Sequence, residues 1–255
     1  MNSSAAKPSV SFVVTALNEE ANIRATVDSI RTAIEKRLDD HEIILVNDGS
    51  TDRTGAVMEE LAAASDRIRV VHNSKNRGFG GAFKSGAAHA GKDYVVRICG
   101  DNAVPAEGIG VVLDRIGQAD LVIPYIANPQ FRSWGRRLGS RTFTKIINSC
   151  FGLSVRYYNH CVVFPRNLLN SITIVTDGFA YQAEAVVKLL KAGCSYVEVG
   201  VNDLPRFQGE STALKPKNVL NVLRAIFSLN REVRRKGAIP IIPRQPSPAP
   251  LPRKS

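Results

Sequence analysis

Residues Tyr94–Pro105 read YVVRICGDNAVP, and the fold follows from the contrast between the two halves of this stretch. Tyr94, Val95, Val96 and Ile98 are β-formers and give a short, buried strand. Gly100, Asp101 and Asn102 extend a strand poorly, and Pro105 fixes the turn that follows. Asp101 is therefore a carboxylate at the carboxyl end of a strand. In an open α/β sheet that edge is where ligands bind. A carboxylate there offers a hard oxygen to Mg2+ or Mn2+ against the phosphates of a nucleotide. Taken alone, Asp101-Asn102 reads more readily as an Asx turn, so the rest of the chain has to decide.

Upstream, Val10–Val14 (VSFVV) reads as a first buried strand that stops at TALNEE. Asn18 is placed to cap the next helix, whose Ile23, Val27, Ile30 and Ile34 make one core-facing stripe. Glu42–Asn47 is a second strand, broken by Asp48-Gly49-Ser50-Thr51-Asp52, with Ser50 or Thr51 as cap and Val57, Met58 and Leu61 on the helix after it. Ile68–His72 is a third, followed by a basic, glycine-rich segment from Asn73 to Gly81 and a small-residue helix over Ala82–Ala90. The order βαβαβαβ predicts parallel strands and a doubly wound sheet.

Four strand ends then carry polar signals on one edge: Asn18 and Glu19, Asp48, the Lys75–Gly81 segment with Asn76, Arg77 and Gly78, and Asp101. Helix caps alone do not require acids, glycines and cations to converge. A nucleotide site does, with carboxylates for base or ribose, a basic glycine-rich loop for phosphate and an acid for metal. The first turn is TALNEE, which excludes a dinucleotide G-x-G-x-x-G fingerprint there, and no G-x-x-x-x-G-K-[ST] occurs.

Composition sets the bounds. The chain has 255 residues, 44% of them apolar, and a formal charge of +11 at pH 7. That balance favours anionic partners: nucleic acid, an acidic membrane surface or phosphorylated substrates. No nucleic-acid motif or aromatic-studded strand accompanies it, so no nucleic-acid partner is expected. Cys99, Cys150, Cys161 and Cys194 are scattered, without metal or disulfide spacing, which points to a reducing compartment. MNSSAAKPSV lacks the apolar run of a signal peptide, and no apolar stretch approaches the ~20 residues of a membrane span. The expectation is a cytoplasmic protein, peripheral at the inner membrane face. We divide it into a flexible start (1–8), a single domain (9–236, with a nucleotide-binding half over 9–125 and an acceptor half over 126–236) and a proline-rich tail (237–255).

Across roughly residues 10–212 the motifs resemble a family 2 glycosyltransferase of the GT-A fold, in the dolichyl-phosphate mannosyltransferase-like branch. TALNEEANI is similar to that family's P-x-x-N-E opening, with Thr15 in place of Pro. VNDGSTDRT resembles its D-G-S-x-D segment, and NRGFGGAFKSGAAHA its N-x-G-x-G-x-A-x-x-x-G loop and helix. The resemblance implies a nucleotide-diphospho-sugar transferase fold, a mainly parallel doubly wound sheet with flanking helices. It also implies transfer from a UDP- or GDP-linked sugar, with inversion and with Mg2+ or Mn2+ as cofactor. Glu19 and Asp48 would contact the nucleoside. Asp101 would be the last acid of the D-x-D metal motif, whose first acid is replaced here by Cys99.

Downstream, Arg132–Arg141 resembles the family's acceptor-side loop and helix. If helical, Arg136, Ser140 and Arg141 share a face suited to phosphate. VRYYNHCVV (155–163) stands where many relatives have D-x-x-S-G-F, without the Asp. Residues 176–184 resemble G-F-x-F-x-x-E, making Asp177 a candidate general base or N-cap and Glu184 a site-directed or supporting acid. Residues 205–212 resemble R-x-x-G-x-S, with Arg206 a candidate for neutralising the departing diphosphate or an acceptor phosphate and Ser211 a candidate substrate-binding residue. Residues 217–236 form a basic amphipathic helix, with Val219, Val222, Leu223, Ile226 and Val233 on one side; it either lies on anionic lipid or covers the sheet. The leading expectation is an inverting glycosyltransferase acting on a polyprenyl (dolichyl or undecaprenyl) phosphate. The alternatives are a saccharide or lipid-linked glycan hydroxyl as acceptor, or a non-catalytic nucleotide-sugar-binding homologue.

Overall fold

A computed structural model of the chain describes residues 7–205 and 216–234. Seven strands form one sheet: β1 (Val10–Ala16), β2 (His41–Asn47), β3 (Ile68–His72), β4 (Tyr94–Cys99), β5 (Leu121–Ile126), β6 (Val163–Pro165) and β7 (Tyr196–Val201). Their order across the sheet is β3-β2-β1-β4-β6-β5-β7. All neighbours are parallel except β6, which runs antiparallel between β4 and β5. The expected mainly parallel, doubly wound sheet is the observed one. β5 and β6 carry no reading in the sequence analysis, because Leu121–Ile126 is broken by Pro124 and Val163–Pro165 is only three residues long.

The helices are α1 (Ile23–Ile34), α2 (Thr54–Ala63), α3 (Gly78–Ala87), α4 (Ala106–Leu113), α5 (Trp134–Phe151), α6 (Arg166–Asn170), α7 (Tyr181–Lys191) and α8 (Pro216–Arg234). Two cores result, one on each face of the sheet. On one, Phe12 and Val14 of β1 meet Ile23, Val27 and Ile30 of α1, Met58 of α2 and Ile109 of α4. On the other, Val13 meets Phe83 of α3, Ile147 of α5, Val186 of α7 and Leu229 of α8. Because both faces are covered, β1 is buried along its whole length, the reading that a continuous apolar run implies.

Connectivity fixes where a ligand can sit. The chain runs outward through β1, β2 and β3, and then α3 returns it over the opposite face to β4, on the other side of β1. Strand order therefore reverses between β1 and β4. The crevice beyond their carboxyl ends is the switch point of the sheet, the expected ligand position in such folds.

Several local expectations need correcting. Asn18 does not cap α1, which begins at Ile23 with Asn22 at its N-cap position. Neither Ser50 nor Thr51 caps α2, whose N-cap position is Arg53; Asp52 just before it accepts the N–H and hydroxyl of Thr54 at 2.9 and 2.6 Å. α3 starts at Gly78 rather than Ala82, so the glycine-rich segment is the first turn of the helix itself. The proline-rich tail and the first six residues lie outside the described residues.

Candidate active site

Thr15 pairs with Cys99 across β1 and β4, and Ala16 pairs with Asn47 across β1 and β2. Just past these ends, the N–H of Asp48 donates to the Ala16 carbonyl and that of Gly100 to the Thr15 carbonyl. Asp48 and Asp101 thus flank the end of β1, roughly 10 Å apart by inter-strand spacing. The loops that the sequence analysis assigned to one edge do meet there.

Asp101 is 6% exposed, and its Oδ1 accepts the N–H of Ala103 at 3.3 Å. Asn102 beside it is in the left-handed region (φ 51°), where Asn is tolerated better than most residues. The position of the first metal-motif acid is occupied differently. The Cys99 sulfur accepts a hydrogen bond from Arg97 Nη1 at 3.0 Å. Arg97, 8% exposed, lies over the rings of Phe79 and Tyr181, 5.5 and 5.8 Å from their centroids. Burial works against its charge, but Cys99, Tyr181 and Asp101 outweigh that and raise its pKa further. Two buried atoms here have no hydrogen-bond partner among the described residues, Arg97 Nε and Thr15 Oγ1.

Asn18, also left-handed (φ 56°), staples the first loop to the second. Its N–H donates to Ser50 Oγ at 3.0 Å and its Oδ1 accepts the N–H of Thr51 at 2.8 Å. Glu19 donates its N–H to Thr54 Oγ1 at 2.7 Å, while its carboxylate accepts from Asn22 Nδ2 at 2.8 Å. The buried carboxylate of Asp48 organises the third loop, accepting from Asn73 Nδ2 (2.8 Å), Arg77 N (2.9 Å) and Gly78 N (3.1 Å). Asn76 Oδ1 shares the Gly78 N–H at 2.8 Å.

The glycine-rich loop is therefore not the open phosphate cradle that its sequence suggests. The amides of Arg77 and Gly78 serve Asp48, and those of Gly80 and Gly81 serve the carbonyl of Asp177 at 2.7 and 3.2 Å. The glycines are needed for close approach. A Cβ on Gly80 would meet the Thr176 carbonyl oxygen at 2.5 Å, and one on Gly86 would meet Val13 Cγ1 at 2.4 Å. The guanidinium of Arg77 lies along α3, where Nη1 donates to Ser85 Oγ at 2.8 Å.

On the acceptor side, Asp177 is not an N-cap, because α7 begins at Tyr181 with Ala180 in that position. Its Oδ1 instead lies 2.7 Å from Lys84 Nζ. Glu184 is buried and supports this segment from beneath. It accepts the N–H groups of Val175 and Thr176, both at 2.9 Å, and pairs with Lys188 Nζ at 2.9 Å. Burial pushes its pKa up, but these donors outweigh burial and hold it below the usual carboxylate value. Arg136, Ser140 and Arg141 fall within α5 as expected, with Arg141 exposed and the Ser140 hydroxyl donating to the Arg137 carbonyl at 3.4 Å. Arg206 and Ser211 lie outside the described residues.

Four polar residues of this edge carry no role in the sequence analysis. Arg97 is one, where a charged residue inside YVVRIC was the available signal, and Thr15 is another, read there only as a departure from the motif's Pro and given no role. The others are His160 and Asp203, both buried, with His160 Nε2 2.9 Å from Asp203 Oδ1. Gln182 Nε2 donates to the His160 carbonyl, and Asp203 exchanges two 2.9 Å bonds with the side chain of Asn128. Leu204 N–H donates to the Ala103 carbonyl at 2.8 Å. The loops after β4, β5 and β7 and the approach to β6 are thereby tied together beside Asp101.

The donor set for a divalent ion is sparse. Among the described residues no group of three or more His, Cys, Asp or Glu side chains is placed to hold one. Asp101 supplies one carboxylate, which suits an ion whose remaining oxygens come from a bound diphosphate and water, the usual habit of Mg2+.

Residues 11–173 match the family described as Glycosyl transferase family 2. Over 212 residues the chain is 27% identical to the polyprenol monophosphomannose synthase of Mycolicibacterium smegmatis, covering 78% of each chain. It is 30% identical over 150 residues to the undecaprenyl-phosphate 4-deoxy-4-formamido-L-arabinose transferase of Edwardsiella ictaluri, covering 58% of this chain and 46% of that one. Among solved structures it is similar to glucosyl-3-phosphoglycerate synthase from Mycobacterium tuberculosis with Mg2+ and uridine diphosphate. That likeness has a TM-score of 0.63 at 19% identity and covers 88% of this chain and 80% of that one. The same enzyme with Mn2+, uridine diphosphate and phosphoglyceric acid gives 0.62 at 20% identity, covering 88% and 78%.

Proposed function

We propose, from the premise that this chain belongs to glycosyl transferase family 2 and is a glycosyltransferase, that it moves a sugar from a UDP- or GDP-linked donor to a polyprenyl phosphate. The transfer takes place with inversion, at the cytoplasmic face of a membrane. The donor lies at the switch point beyond β1 and β4, beside the loops that carry Glu19, Asp48 and Asp101. Asp101 is the residue that would hold a divalent ion against the donor diphosphate, where the ion offsets charge on the leaving group. The acceptor phosphate is already an anion, so its oxygen attacks the anomeric carbon without a general base. Asp177, engaged by Lys84, is not needed for that step. Arg136, Ser140 and Arg141 are the acceptor-side candidates within the described residues; Arg206 and Ser211, outside them, are the leaving-group candidates from the sequence.

One observation carries the lipid acceptor. α8 has two opposed faces: Ile226 and Leu229 are buried, with Val222 and Val233 packed beside them, against the core. Leu220, Leu223 and Phe227 are exposed, Phe227 at 66%. With Arg224, Arg231 and Arg234 they form one stripe at helical spacing, and all three arginines are exposed. Leu223 thus faces outward rather than joining the core side as the sequence analysis had it. α5 touches α8 and carries two further exposed apolar side chains, Trp134, 71% exposed, and Leu138. An apolar stripe edged with arginines matches an anionic bilayer, into which the apolar side chains dip while the guanidinium groups meet headgroups. Among the described residues no helix is long and apolar enough to cross a membrane. The relatives named for polyprenol and undecaprenyl phosphate support the same acceptor class.

The test is vesicle binding. The protein should sediment with vesicles containing anionic phospholipid and much less with neutral ones. A Leu223→Ser/Phe227→Ser double variant, folded by circular dichroism, should lose about tenfold or more of that binding. Equal sedimentation of variant and parent would remove α8 as the lipid-facing surface.

A further inference from the structure

We propose that Arg97 and Thr15 form a fixed cationic anchor for the donor diphosphate, one that binds it without a divalent ion. The inference deepens the donor reading above and rests on it. A guanidinium that is 8% exposed needs an anion, because a desolvated cation without one is costly. Asp101 lies close enough to support the charge, but the hydrogen-bonding capacity of the guanidinium is not met. Nη1 donates to the Cys99 sulfur, and the faces of Phe79 and Tyr181 give cation–π contact. Nε has no partner among the described residues.

Thr15 makes the same point independently. Its hydroxyl is buried and unpartnered among the described residues. Its position follows from register: Thr15 pairs with Cys99, so both side chains leave the sheet on one face. Arg97, two residues before Cys99, shares that face and reaches up to the Cys99 sulfur. An unsatisfied hydroxyl and an unsatisfied guanidinium nitrogen therefore flank one thiol at the switch point, next to Asp101. The glycine-rich loop is not the phosphate donor here, because the Arg77, Gly78, Gly80 and Gly81 amides are committed within the protein.

Charge accounting explains the pairing of Arg97 with Cys99. Two acids and a divalent ion sum to zero in a D-x-D site. One acid, Asp101, and one guanidinium also sum to zero, with no ion present. An acid at position 99 would capture Arg97 in an ion pair. Cys99 leaves the guanidinium available to an incoming phosphate.

The experiment is calorimetric titration of UDP and GDP into the full chain, in EDTA and in magnesium. One of the two nucleotides should bind measurably in EDTA and more tightly with magnesium. Arg97→Met, which keeps the length needed between Phe79 and Tyr181, should weaken EDTA binding at least about tenfold, and Arg97→Lys should recover part of it. Thr15→Val should cost several-fold, as one lost hydrogen bond does. Should Arg97→Met fail to fold, Cys99→Asp provides the second test, lowering nucleotide affinity in EDTA about tenfold or more by pairing with Arg97. Binding by the parent that occurs only with magnesium would overturn the anchor alone, as would unchanged EDTA affinity in folded Arg97→Met or in Cys99→Asp. Failure of both nucleotides to bind even with magnesium would overturn the donor reading and the anchor with it.

Discussion

Lys84 holds Asp177 in an ion pair at 2.7 Å, on the segment whose backbone also closes the first turn of α3. The acid best placed by sequence to act as a general base is thus bound to a cation of the neighbouring helix. Asp177→Asn should leave transfer to polyprenyl phosphate within about tenfold of the parent, a smaller change than the 10²–10⁴-fold worth of a general base. Steady-state rates with polyprenyl phosphate decide this. A loss of a hundredfold or more in kcat, with KM unchanged, would favour a hydroxyl acceptor.

Asp48 should behave as an organiser of the nucleotide-side loops. Its carboxylate takes three hydrogen bonds from Asn73, Arg77 and Gly78 while almost fully buried. Asp48→Ala strands those donors and should cost about 3 kcal/mol of unfolding free energy, measured by urea denaturation. A loss below about 1 kcal/mol would show that the loop holds without it.

Glu184 gives a pH signature. Its pKa is lowered in the folded protein, burial being outweighed by Val175, Thr176 and Lys188. A depressed carboxylate stabilises above its unfolded value of 4.5, and that contribution drains away as pH falls through the lower folded value. Glu184→Gln should therefore destabilise by about 2 kcal/mol at pH 7, since it leaves buried Lys188 with Glu232 as its remaining ion-pair partner. The gap between variant and parent should narrow below pH 4.5, because the parent alone loses the carboxylate's contribution there. Chemical denaturation at several pH values measures it, and a gap that widens on acidification would contradict the assignment.

Much of the fold was legible in the chain because its parallel strands are buried on both faces. VSFVV and EIILV are continuous apolar runs bounded by polar turns, and the Ile23, Val27, Ile30, Ile34 stripe is buried throughout. β5 and β6 were not legible, being carried by Pro124 and by a three-residue pairing that tertiary contact decides. The location of the site was readable because strand ends in an alternating chain share an edge. The work of each residue there was not. Asp48 and the glycines look like ligand groups in sequence, yet their partners are contacts from distant segments such as Asp177 and Asn73. Arg97 was passed over because a lone charge in a strand is informative only once its neighbours, Phe79 and Tyr181, are known.

Asp101 carries the central claim, and transfer of label is its most direct test. The full chain, a nucleotide sugar labelled in the sugar, polyprenyl phosphate and magnesium are incubated, and label is counted in the organic-solvent phase. With the matching UDP- or GDP-sugar, label should move into a lipid product in the parent. It should fall at least about a hundredfold in an Asp101→Ala variant that keeps its circular dichroism spectrum and melting temperature. Undiminished transfer by that variant, or label that reaches only a soluble saccharide and never the lipid, would contradict the account.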